Sequence, residues 1–273
     1  MWTGVRVDVT EQRDGWRRER ERRGLVRDEP EFGSVGRMAL LDQPRLFVSI
    51  LPSDPLAQPL GFSDEALTGF VLTQRFSGLT ANGVAALSNV TTTADALVRY
   101  SDSGSGSPWR AFVGLLRDGG IEVGIGSTVR YELDTSGGRP ATTAYRLFVL
   151  VHALRAAIES QARLLARLDE TGFDTARLHP FEINFALPGA QGAVLGGLAD
   201  GWEEPQYAFS PSVCLDRDVL VRLELDEWPQ ARDEQDGLIR AAADRICNAF
   251  GTNEPLYLAR VGNLAGRLSP DYA

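Results

Sequence analysis

Lysine is missing from this chain of 273 residues, so all 28 basic side chains are arginines. That excludes Schiff-base chemistry, a lysine-anchored pyridoxal phosphate and the usual lysine-bearing phosphate loop. Codon bias explains the gap more simply than function, because arginine serves exposed faces as well as lysine and makes the better bidentate donor. Histidine, the commonest general acid or base, occurs only as His152 and His179. His152 falls at the border of a helical apolar stripe and reads as a boundary side chain. His179 stands before Pro180 at a strand entrance, where a turn role is the default.

Cysteine is equally sparse. Cys214 and Cys247 form neither a C-x-x-C pair nor a zinc-spaced cluster. They read as small buried hydrophobes in a reducing compartment, since neither has a histidine close in sequence. No run approaches the ~18 apolar residues of a membrane span, and residues 1–23 are polar where a signal peptide would be apolar. The expected location is the cytoplasm, with no membrane contact. There is no G-x-S-x-G elbow, no H-E-x-x-H and no G-x-G-x-x-G, and Gly124-Ile125-Gly126 falls inside a strand pattern. Those glycines suit a bend or a close backbone approach. Asp216 and Asp218 could hold a divalent ion, but they also suit a turn opening the next strand, which is the preferred reading. The sequence therefore predicts no cofactor and no metal site.

The net charge of −9 excludes a protein that coats nucleic acid with its whole surface. One local patch remains. Between residues 10 and 23, Arg13, Arg17, Arg18, Arg20, Arg22 and Arg23 alternate with Glu11, Glu19 and Glu21 and have almost no apolar stripe. A solvated helix with i,i+4 pairs is favoured there over a nucleic-acid arm, although guanidinium groups do suit phosphate. Pro30, Gly33 and Gly36 then mark a linker. Residues 1–36 are read as a charged helix and linker, and residues 37–273 as a globular region, divisible near 172–178. Hydrophobic content of 43% and charged content of 24% agree with a folded body.

Residues 45–51 read as a buried strand leaving at Pro52. A helix follows from Ser63, whose side chain can cap it, to just before Gly78. Strand patterns then cover residues 83–88, 94–101, 110–116 and 121–133. In the last, Ile121, Val123, Ile125, Val129, Tyr131 and Leu133 alternate with Glu122, Gly124 and other wet positions. Asp118-Gly119-Gly120 predicts a hairpin between the last two runs. Residues 143–170 carry a core-helix period ended by Gly172, with Glu159 and Arg163 one turn apart on the wet side. Strands are expected at 181–187 and 218–225, then a helix that starts between Pro229 and Asp236 and closes at Gly251, with 256–261 as a further edge strand. The fold class is α+β: an antiparallel sheet packed on a long amphipathic helix, with a further C-terminal helix.

The string AAADRICNAFG at 241–251, together with LPGAQG at 187–192 after a strand, resembles the region downstream of Schlafen/AlbA-type DNA-binding domains in bacterial regulatory proteins. The DNA-binding domain itself is absent, so the resemblance implies a regulatory or partner-binding accessory region and transfers no functional residue. Trp202, in an acidic loop with Glu203 and Glu204, is a candidate partner contact. Many patterned core elements beside no convergent titratable set favour a non-enzymatic binding or regulatory module for a protein partner or small ligand. The alternatives are a hydrolase or transferase whose site assembles only in three dimensions, and nucleic-acid binding through the arginine-rich helix.

Overall fold

The computed structural model describes residues 46–52, 60, 69–71, 87–92, 96–102, 109–117, 119–126, 130–133, 142–196 and 213–252. Strands β1 (Leu46–Pro52), β2 (Asn89–Thr92), β3 (Ala96–Asp102), β4 (Trp109–Leu116) and β5 (Ile121–Ile125) come first in the chain. Then follow β6 (Arg130–Leu133), β7 (Thr142–Arg146), helix α1 (Leu147–Glu170), β8 (Phe181–Leu187), β9 (Val194–Gly196), β10 (Val219–Leu225) and helix α2 (Arg232–Ala249). Seven strands make one sheet in the order β10-β8-β1-β5-β4-β3-β2, with every neighbouring pair antiparallel. β6, β7 and β9 make a small second sheet in which β7 and β9 run parallel.

One face of the large sheet carries Val48 and Ile50 from β1, Ile121 and Val123 from β5, and Ile183 and Phe185 from β8. All join a core cluster with Leu150, Leu154 and Ile158 of α1 and Ile239 and Ile246 of α2. α1 lies against β1 and β5, while α2 lies against β10 and α1. The opposite face buries Phe47, Leu51, Val98, Phe112, Leu116 and Ala186 in a second cluster. A strand covered on both faces reads as a continuous apolar run, which explains LFVSILP in β1.

The structure alters four expectations. Residues 121–133 are not one strand: β5 belongs to the large sheet and β6 to the small one, because the alternating pattern fixes faces and not the partner. Glu122, read as a wet position, is fully buried, since β5 is a central strand. The long helix starts at Leu147, and the β-branched Thr142 and Thr143 in front of it belong to β7. Of the strand expected at 83–88, only Leu87 and Ser88 are among the described residues; they lie outside any strand, and the pairing begins at Asn89. β9 carried too short a pattern to be predicted.

Other expectations hold. β4 and β5 form the hairpin, and Gly119 takes φ +89°. Gly172, at φ +79°, follows the end of α1, which at ~1.5 Å per residue spans about 36 Å over its 24 residues. Of the helix predicted from Ser63, Gly69, Phe70 and Val71 are described and helical. The predicted strand at 256–261 lies outside the described residues. Glu159 pairs with Arg232 across the two helices (3.4 Å), and Arg163 donates instead to the Glu159 backbone carbonyl (3.2 Å).

Candidate binding edge

Strand register aligns four polar residues on the sheet face away from the helices. Arg222 in β10 opposes Asn184 in β8, Asn184 opposes Ser49 in β1, and Ser49 opposes Glu122 in β5. Ser49 and Glu122 are 0% exposed and Asn184 is 5% exposed, so this row is covered at its centre. Among the described residues it reaches solvent at β10. There Asn184 Nδ2 donates to Glu182 Oε1 (2.6 Å), and the exposed Arg222 guanidinium pairs with both Glu182 and Glu224, the latter at 3.1 Å.

Among the described residues β10 is the terminal strand of the sheet, and its backbone shows which groups face outward. The Arg217 carbonyl accepts from Ala190 N–H on the β8 side (2.8 Å), whereas the Arg222 carbonyl accepts from Arg245 Nη1 of α2 (2.6 Å). In an antiparallel ladder the hydrogen-bonding direction alternates residue by residue. Val219, Val221 and Leu223 therefore bond β8, and the N–H and C=O groups of Leu220, Arg222 and Glu224 point away from it. Among the described residues no strand lies on that outer side.

Beside this edge a depression of about 250 Å³ is lined by Asp216, Asp218, the β10 residues 219–222, and Arg245 and Ala249 of α2. A strand edge flanked by a helix is the geometry that takes an extended peptide: main-chain bonds supply affinity and the flanking side chains supply specificity. At the far end of the sheet β2 has only four residues, against seven in β10.

Asp218 Oδ1 accepts from Gly189 N–H (2.9 Å), anchoring the chain before β10, and the described residues contain no group of three or more His, Cys, Asp or Glu suited to a metal ion. His179 Nδ1 lies 3.0 Å from the Asp226 carbonyl oxygen, and its ring packs edge-on to Phe181. His152 is half-buried on α1. The two histidines thus sit on different elements. Both thiols are free and buried. Burial pushes the Cys247 thiol up to about 12, with the Asp244 charge adding to it, and burial raises Cys214 against an opposing hydrogen bond from Asp216. Neither supplies a thiolate near neutrality. Arg17, Arg18, Arg20, Arg22, Arg23 and Trp202 lie outside the described residues.

Alternation in the sequence marks β10 as a strand, but its edge position depends on sheet order, which no local pattern carries. The available signal was the Arg222 and Glu224 pair alternating with leucines, a half-wet pattern beside the covered strands β1 and β8. No protein-family model matches this chain, and neither a curated protein nor a solved structure matches it.

Proposed function

We propose that the chain is a non-enzymatic, cytoplasmic binding module that receives an extended protein segment along the outer edge of β10. The observation that carries this reading is the outward-facing row of backbone groups at Leu220, Arg222 and Glu224 beside the depression against α2. Such an edge is a template for pairing, and natural proteins cover or blunt it unless it is used. Arg245 does hold one carbonyl of the row, but a single exposed side chain is readily displaced by a strand that bonds several groups at once. No helix among the described residues is long and apolar enough to cross a membrane. The resemblance at 187–192 and 241–251 points toward the same accessory, partner-binding role.

The test is selection of displayed random peptides against dilute wild-type chain, with Glu224→Pro as the counter-selection. Proline at this position removes an outward N–H without touching the bonds to β8. The expected result is enrichment of peptides with alternating apolar residues, whose binding falls at least about tenfold on the variant, the loss of a charge-assisted or well-formed hydrogen bond. Peptides that bind wild type and variant equally would overturn the edge as the site.

A further inference from the structure

We infer that the occupant of the β10 edge is β10 of a second copy of this chain, related by a two-fold axis through Leu223. The inference rests on the strand-addition reading above and supplies its partner. A two-fold interface brings one patch against itself, so the patch must be self-complementary. β10 meets that condition in one register. With the axis at Leu223, Arg222 of each copy opposes Glu224 of the other, giving two cross-strand pairs of opposite charge on one sheet face.

Neighbouring registers do worse. An axis at Arg222 sets that arginine against its own copy, and an axis at Val221 sets Glu224 against Asp218. Shifts by half a step oppose outward groups with inward ones and make no ladder. In the favoured register Arg222 and Glu224 each exchange N–H and C=O bonds with the opposite copy, four bonds about the axis. Arg245, exposed on α2, gives up the Arg222 carbonyl and the opposite Glu224 N–H takes its place. The seven-stranded sheet continues through the seam as one sheet of two copies.

Sedimentation of the full chain over about 1–100 µM tests this, a range that brackets the micromolar association of a modest interface. The expected result is a concentration-dependent rise from the 29.8 kDa monomer toward twice that mass. Glu224→Arg, which turns both attractive pairs repulsive, should weaken association at least about tenfold, and Glu224→Pro should abolish it. Leu223→Cys gives a register-specific readout. Facing residues at the axis form a pair with Cα atoms about 4.5 Å apart, inside the disulfide range, so oxidation should link Leu223→Cys chains and leave Val221→Cys chains unlinked. Cys214 and Cys247 are buried and give little background.

Thermal unfolding checks that each variant folds. Should Glu224→Pro fail to fold, Glu224→Arg and the Leu223→Cys cross-link decide. A chain that stays monomeric throughout, while selected peptides still bind the edge, overturns the second copy as occupant and leaves strand addition standing. A dimer indifferent to both Glu224 substitutions overturns it too, because the copies then meet elsewhere. Absence of both dimer and peptide binding defeats the two readings together.

Discussion

Asp236→Ala is expected to lower stability by about 1–3 kcal/mol, the usual cost of removing one partner from a buried polar contact. Asp236 is 3% exposed and its Oδ1 lies 3.7 Å from Arg155 Nη2, whose side chain is 14% exposed. The pair joins the second turn of α2 to the middle of α1, and losing the carboxylate removes one partner of the half-buried guanidinium. Replacing both residues, Arg155→Met with Asp236→Leu, should cost far less than Asp236→Ala alone. Guanidinium denaturation midpoints measure this. If the double variant is as unstable as the single one, the charge is not the cause.

Gly124→Ala should cost about 2–3 kcal/mol, at the upper end for overpacking a core. Phe112 opposes Gly124 across the β4–β5 pairing, and a Cβ added at Gly124 would sit 2.3 Å from the ring's Cε1 and 2.9 Å from both Cδ1 and Cζ. The glycine therefore admits an aromatic ring, where the sequence had suggested a bend or a backbone neighbour. Phe112→Leu removes Cε1, which makes the shortest contact, together with Cζ, so Gly124→Ala should be markedly milder in that background. Equal costs in both backgrounds, from a double-mutant cycle, would contradict the packing account.

Periodicity and turn chemistry located most of the elements. β1, β3, β4, β8 and β10 fall where alternation or an apolar run placed them, and α2 runs from Arg232 with its Ala231 N–H bonded to Glu234 Oε2 (3.2 Å). What local pattern could not carry was partnership. Nothing in residues 121–133 tells that β5 enters one sheet and β6 another, and nothing in Glu122 tells that both faces of its strand are covered. The same limit hid the candidate site. The Arg222, Asn184, Ser49 and Glu122 row is scattered over four strands, and the edge position of β10 is a property of sheet order.

α1 shows how far side-chain pairing can be read locally. Spacing alone joins Glu159 to Arg163, but α2 brings Arg232 within 3.4 Å of the same carboxylate, and the tertiary partner takes it. Asp236 follows the same rule: it stands near the start of α2, where a carboxylate complements the helix dipole, and packing turns it toward Arg155.

Residue-resolved amide hydrogen exchange along β10, with the chain dilute enough to be monomeric, tests the open edge most directly. The account predicts that the amides of Val219, Val221 and Leu223 are slowed by about a thousandfold or more, while those of Leu220, Arg222 and Glu224 exchange close to the rate of an unstructured chain. Six amides protected alike in the dilute chain would contradict it.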